Sequence, residues 1–228
     1  MKWLAVVPMK RHSARVPGKN LRTLCGKPLF AWVLDALYRV PEIGTVVLDT
    51  DDQDVADTVL RSFPVSISLR PEHLRGDLVP TNAVIANVLS AHPGHERILQ
   101  THVTNPLLTP QTIRAAISAF EADPELDSLF SVTRLQTRLY DSAGRAMNHD
   151  PKVLLRTQDL PPVYEENSNF YLFARGAFLA EGSRIAGRTR MFEISRIEAL
   201  DIDEEEDFLL AEAMMERRLR QVLKASAA

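Results

Sequence analysis

The sequence predicts an α/β fold built on a largely parallel sheet. Short β-branched apolar runs alternate with segments of helical spacing, which is the order that parallel sheets require. The first run, Trp3-Leu-Ala-Val-Val-Pro8, is continuously apolar and bounded by proline, as expected of a strand buried on both faces. The segment after it, Met9 to Asn20, is too polar for a core and carries Lys10, Arg11, Arg15 and Lys19. A strand that delivers cations to the carboxyl edge of a sheet is how such folds build polyanion sites, and this loop reads as a triphosphate cradle.

The elements follow in order. Pro28 to Val40 spaces Leu29, Trp32, Val33, Ala36, Leu37 and Val40 as one helical face. Thr45–Leu48 is a second β-branched run, and Asp49-Thr-Asp-Asp52 supplies an N-cap for a helix over Gln53–Arg61. Val65–Leu69 alternates as a strand. The polar loop Arg70 to Asp77 leads to a helix from Thr81 to about Ser90. Arg97–Val103 is the next strand, broken by Thr104-Asn-Pro106. Thr109-Pro-Gln opens another helix, with threonine as cap and proline in its first turn. Asp127–Thr133 is a further strand. From Arg134 to Pro162 the period fails, and the segment is expected to be an insertion of short strands and loops. Asn169–Ala174 resumes a strand, Ala199–Asp203 reads as a short one, and Glu204 to about Leu223 is a long amphipathic helix.

Composition narrows the classes. The chain has 228 residues, 45% hydrophobic and 25% charged, with a net charge of −3. That suits one large α/β domain over 1–228, or one with a sizeable insertion, and it suggests neither a nucleic-acid partner nor a membrane partner. The single cysteine, Cys25, excludes an internal disulfide framework and fits a reducing compartment. The N-terminal apolar run is much shorter than a membrane span, which needs about 20 residues, and it lacks the features of a signal peptide. The expected localisation is cytoplasmic. Two well-known phosphate cradles are absent: Gly18 is the lone glycine before Asn20, so G-x-G-x-x-G fails, and Gly18-Lys19 is followed by asparagine rather than Ser or Thr.

Six segments in order resemble one family. Pro8-x-Lys-x-x-Ser-x-Arg-Val-Pro-Gly-Lys-Asn20 with Leu24-Cys-Gly-Lys-Pro-Leu29 is similar to the opening signature of the acylneuraminate cytidylyltransferases. Thr50-Asp-Asp52, Arg70-Pro-Glu-x-Leu-x-x-Asp77, Thr104-Asn-Pro-Leu107, Glu166-Asn167 through Tyr171, and Asp201-Ile-Asp203 with Asp207-Phe208 resemble the segments that follow it. The resemblance spans nearly the whole chain. It implies a three-layer nucleotidyltransferase fold (Rossmann-like, GT-A-like) with a mostly parallel central sheet. It also implies a small inserted dimerisation segment at about 134–165, hence a homodimer. The implied reaction moves CMP from CTP to a sialic-acid-like nonulosonic acid and releases pyrophosphate.

The same resemblance assigns roles. Lys10, Arg15 and Lys19 hold the β- and γ-phosphates, and Asn20 meets triphosphate or ribose. Asp201 and Asp203, two apart in an expected strand, place two carboxylates on one face. Such hard oxygen donors suit Mg²⁺, which takes one or two carboxylates and leaves its other positions to water and phosphate. No general base stands out, so metal activation of the hydroxyl is the default, whereas Asp207 reads as a helix-terminus residue. Arg70 is read either as a neighbour of the nucleotide base or as a surface partner of Glu72 or Asp77, and Thr81 as a small hydroxyl beside the base. Gln100 and His102 end a strand; the family's glutamine falls on His102, read as a contact to the sugar acid or as a histidine satisfied by backbone. Glu166 and Asn167 face the sugar, and Tyr171 packs. Lys10-Arg11-His12 replaces the family's arginine and paired glycines, so side chains must supply more of the phosphate contact. Arg134, Arg138, Lys152 and Arg156 lie where the family's segment reaches a partner subunit's site. Alternative readings are a 3-deoxy-octulosonate cytidylyltransferase, a metal-dependent glycosyltransferase and a non-catalytic CTP-binding protein.

Overall fold

The structure is a computed structural model and describes residues 2–13 and 15–226. In chain order the elements are β1 (Trp3–Pro8), β2 (Thr23–Leu24), β3 (Lys27–Pro28), α1 (Leu29–Tyr38), β4 (Ile43–Thr50), α2 (Gln53–Leu60), β5 (Ser66–Leu69), α3 (Thr81–Ala91) and β6 (Arg97–Thr101). They continue with α4 (Pro110–Glu121), β7 (Ser128–Leu135), β8 (Val163–Ala174), α5 (Arg175–Glu181), β9 (Thr189–Glu193) and α6 (Glu205–Ser226). One seven-stranded sheet runs β5-β4-β1-β6-β8-β7-β9. Every pairing in it is parallel except the two that β8 makes with β6 and β7.

The middle of the sheet explains why β1 is apolar throughout. Successive strand residues point to opposite faces. Trp3, Ala5 and Val7 join Phe30, Leu34 and Leu37 of α1 and Ile113 and Phe120 of α4, while Leu4 and Val6 join Ile85, Val88 and Leu89 of α3 and Phe178 of α5. Helices therefore cover both faces, giving three layers. A smaller cluster of Leu24, Leu29, Ile202, Phe208 and Ala211 fastens the β2–β3 hairpin to α6. The hairpin turn is Cys25-Gly26, both with positive φ (47° and 87°), as a tight two-residue turn demands.

Local signals put the helices where expected. The Asp52 carboxylate accepts from the Val55 amide at the start of α2, and the Thr109 hydroxyl accepts from the Thr112 amide at the start of α4. Three expectations are corrected. Residues 199–203 leave a turn and run on as irregular chain rather than a strand, so the same-face argument for Asp201 and Asp203 does not apply. Residues 136–162 hold only an isolated bridge, Tyr140 to Ala146, and one 3-10 turn, Thr157–Asp159, instead of short strands. Strand β8 begins at Val163, so Glu166 and Asn167 lie within it. Helix α5 and edge strand β9 add to the expected set.

Leu99 of β6 is fully buried and sits opposite Leu172 of β8. Leu99→Ala is expected to cost between about 2 and 5 kcal/mol, read as a lowered urea midpoint with an unchanged slope.

Candidate active site

Strands β1, β4 and β6 run parallel and end on one edge, and the chain order reverses across β1, because β4 lies on one side and β6 on the other. Open α/β sheets bind ligands at such a switch point. A cavity of about 460 Å³ opens there, with Lys10, Arg15, Lys19 and Asn20 on one wall, Arg70, Asp77 and Thr81 on a second and His102 to Thr104 on a third. A second cavity of about 500 Å³ adjoins it, lined by Glu165 to Ser168 of β8 together with Arg196, Asp201 and Asp203.

The basic loop distributes its cations unequally. Lys10 lines the first cavity and donates to Asp77 at 3.1 Å and to the Gly76 carbonyl. Arg15 pairs with Asp203 at 2.6 Å, and Lys19, nearly buried, reaches the Ile202 carbonyl and Asp203. Arg11 instead turns outward to Asp52 and Asp54, both at 2.8 Å. The Asn20 amide donates to the Lys10 carbonyl at 2.8 Å and leaves its own oxygen buried without a partner. Gly18 takes φ 66° as the chain turns into Lys19–Leu21.

Arg70 lines the same cavity, and it is not the surface partner of Glu72 or Asp77 that one of the two readings expected. Its guanidinium is bonded to Asp49, with side-chain exposures of 2% and 0%. Burial raises the Asp49 carboxyl above its usual range while Arg70 and Ser68 pull it back. Thr81 opens α3 in the cavity wall, and Asp77, largely exposed, lies opposite Lys10.

His102 is placed in the first cavity, beside the cradle, not in the second with Glu166 and Asn167. Its pKa is pushed down to about 4, first by burial and then by the Arg184 charge. Gln100 lines neither cavity. It is fully buried, with its amide nitrogen on the Thr101 carbonyl and His102 Nε2, each at 3.0 Å, and its oxygen accepting from Arg184.

In the second cavity a bulge shapes the wall. The register of β7 with β8 slips between Phe130 and Val132, and Ser168 takes φ 55°. Bulges re-aim side chains in this way. Asn167 holds the bulge: its oxygen accepts from Ser131 at 2.6 Å and from the Asn169 amide at 3.2 Å, and its nitrogen donates to Thr133 at 3.0 Å. Glu166 accepts from the Tyr171 hydroxyl, so Tyr171 packs by its ring and bonds by its tip.

Asp201 has one carboxylate oxygen buried with no partner, and burial together with the Asp203 charge raises its pKa against a hydroxyl contact from Thr104. Asp207 accepts from the amides of Asp203 and Glu204 at 3.0 and 2.8 Å, which makes it the cap that orients Asp203. Two carboxylates flanking one wall, one with an orphan oxygen, fit the donor set of Mg²⁺. No group of three or more potential metal-binding side chains occurs among the described residues, so water and substrate would complete the coordination.

A family model described as cytidylyltransferase matches residues 4–226. This chain belongs to the cytidylyltransferase family. Among relatives, CMP-N,N'-diacetyllegionaminic acid synthase of Legionella pneumophila is 28% identical over 232 residues, covering 95% of this chain and 97% of that protein. Pseudaminic acid cytidylyltransferase of Campylobacter jejuni is 24% identical over 226 residues, covering 94% and 96%. In fold, the chain resembles CMP:2-keto-3-deoxy-manno-octonic acid synthetase complexed with CTP, with a TM-score of 0.70 at 16% identity over 96% of this chain and 100% of that one. The family makes this cytidylyltransferase an α/β nucleotidyltransferase, as the motifs imply. Arg184 and Arg196 were missed in the sequence because no motif surrounds them; only their positions in the fold bring them to the site.

The histidine gives a pH signature. Unfolded His102 titrates near 6.5 and the folded one near 4, so the unfolded state takes up the proton first. Stability is complete above about pH 6.5 and is lost as pH falls toward 4, by at most about 3 kcal/mol. His102→Gln is expected to flatten this part of the melting temperature against pH curve relative to the parent chain.

Proposed function

We propose that this cytidylyltransferase moves CMP from CTP to a sialic-acid-like nonulosonic acid and releases pyrophosphate. The reading is carried by the contact between the two cavities. Asp203 lines the second cavity while its carboxylate is paired with Arg15 and Lys19 of the first. A phosphate-seeking cavity and a sugar-sized one thus share a single charged rim, where a phosphoryl group can pass from one to the other.

The chain's residues divide the work. Arg15, Lys10 and Lys19 follow the triphosphate and take up charge on the departing pyrophosphate. The orphan oxygen of Asn20 can only accept, which favours a ribose hydroxyl over a phosphate. Thr81 and Arg70 line one wall of the first cavity, and we assign the base to them. In the second cavity Arg196 is the cation for the sugar's carboxylate, and Glu166 accepts from its hydroxyls. The acceptor's anomeric hydroxyl oxygen bonds to the α-phosphorus, the bond from that phosphorus to the β-phosphate oxygen breaks, and the hydroxyl proton passes to water. Positioning and charge neutralisation supply most of such a barrier reduction. Mg²⁺, held by Asp201 and Asp203, would add charge neutralisation at the phosphates and lower the hydroxyl's pKa.

We also read the protein as a homodimer joined through about residues 134–165, where Met147, Val153 and Leu154 are exposed, Leu154 at 89%. Arg138 and Arg156 are locally engaged, with the Leu155 carbonyl and with Asp159, so Arg134 and Lys152 are the better candidates for a partner's site. A cytoplasmic location is consistent with one reduced, half-buried cysteine. No helix among the described residues is long and apolar enough to cross a membrane.

Pyrophosphate release is expected only when CTP, Mg²⁺ and a nonulosonic acid are present together, with ATP, GTP and UTP inactive. Release with 3-deoxy-octulosonate alone would move the chain to the octulosonate reading, and CTP binding without release from any acid would favour a binding protein. Arg15→Ala is expected to raise the Kd for CTP about tenfold, from loss of one charge-assisted contact of about 1.4 kcal/mol. An unchanged isotherm in titration calorimetry would remove Arg15 from the cradle.

A further inference from the structure

The buried polar group behind the first cavity has one chemical consequence that fixes a proton. Arg184 lies with its guanidinium carbon 4.0 Å above the centre of the Tyr171 ring and donates to Gln100 Oε1. A guanidinium has no acceptor, so the Gln100 atom that meets it must be oxygen. The other end of the same amide is 3.0 Å from the Thr101 carbonyl, which has no donor, so that atom must be nitrogen. The orientation of Gln100 is therefore determined by two partners of fixed polarity, although amide ends are otherwise hard to tell apart. That nitrogen also lies 3.0 Å from His102 Nε2. Since it can only donate, His102 Nε2 must accept, and the imidazole hydrogen is left on Nδ1. His102 lines the cradle cavity, and its Nδ1 has no hydrogen-bond partner among the described residues.

The geometry points to Arg184 and Gln100 as positioning residues that hold His102 in its neutral Nδ1–H form, as a hydrogen-bond donor to a substrate oxygen in the cradle cavity. The identity of that substrate rests on the proposed function; the tautomer does not. The face of Tyr171 keeps Arg184 in place, and the Tyr171 hydroxyl in turn is held by Glu166 and Ser168 of the second cavity's wall. The bulge of β8 and the proton on His102 are thus parts of one connected arrangement. A donor in this place suits the anionic oxygens both of a nucleotide phosphate and of a sugar carboxylate.

The test uses the ligand-free full chain labelled with ¹⁵N at its six histidines. The His102 resonances are assigned as those lost in His102→Gln. In the parent chain His102 is expected to show a protonated Nδ1 and a bare Nε2 at neutral pH. Gln100→Glu puts an acceptor where the amide nitrogen was and is expected to move the hydrogen to Nε2. Arg184→Met frees the amide to turn and is expected to give a mixture of the two forms. A protonated Nε2 in the parent chain, or an unchanged tautomer in Gln100→Glu, would overturn the inference. For the donor role, Gln100→Glu is expected to raise by about tenfold either the Kd for CTP or the KM for the sugar acid at saturating CTP. Those two arms tell phosphate from sugar carboxylate, and no rise in either overturns the donor role. Should the parent chain bind CTP but turn over no acid, the proposed function fails alone, because the tautomer and the CTP arm are still read.

Discussion

Cations cannot be gathered at the edge of a sheet without counter-charge, and much of this site follows from that constraint. Two like charges about 6 Å apart repel by about 3 kcal/mol at an effective dielectric of about 20. Each cation of the first cavity is accordingly met by an acid: Lys10 by Asp77, Arg15 and Lys19 by Asp203, and Arg70 by Asp49. The acids come from the ends of β4, from the loop before α3 and from the turn before α6. Meeting these charges thus draws acids from three separate parts of the chain to one edge. The bond from Lys19 to the Ile202 carbonyl, backed by the cluster of Leu24, Ile202 and Phe208, brings the last helix against the first loop.

These pairs are not equivalent, and burial separates them. Arg15 and Asp203 are about half exposed, so their pair contributes little stability, on the order of 0 to 1 kcal/mol. It can open to a phosphate at small cost. Arg70 and Asp49 are sealed, and breaking a buried pair costs about 3 to 5 kcal/mol because the remaining charge is stranded. Arg70 therefore acts as a fixed wall of the cavity, whereas Arg15 and Lys10 are cations that a triphosphate can recruit. The same ligand that recruits Arg15 relieves Asp203 of its strongest partner, so occupation of the first cavity changes the electrostatics of the second.

How much was legible in the sequence follows from how local each signal is. Buried parallel strands and capped helices announce themselves within a few residues, so β1 and α2 were read nearly to their ends and α4 at its start. The cradle was legible because its cations lie in one short loop. Residues 199–203 misled because Leu200 and Ile202 are apolar for packing against neighbouring elements, not for strand pairing. One of the two readings of Arg70 gave it a surface partner because Glu72 and Asp77 are near in sequence, whereas Asp49 is 21 residues away and adjacent only once β4 and β5 pair. Gln100 was grouped with the substrate contacts because its neighbour His102 was read as one. Strand alternation does place both on the same side, but it says nothing of depth, and Gln100 lies beneath.

That depth bears on the substitution at residue 102. The family's glutamine carries a donor and an acceptor on one freely chosen amide, and an imidazole offers the same choice only if its proton can move. A histidine with an unspecified tautomer would present a mixture to the ligand, and its charged form is excluded here by burial and by Arg184. Placing Gln100 behind it, with both amide ends held by groups of fixed polarity, removes the choice. The cost is a half-buried arginine, and stacking on Tyr171 with a bond to Gln100 satisfies it without an ion pair at contact distance. An arginine whose motif is invisible in sequence thus becomes the group that decides what the visible histidine can do.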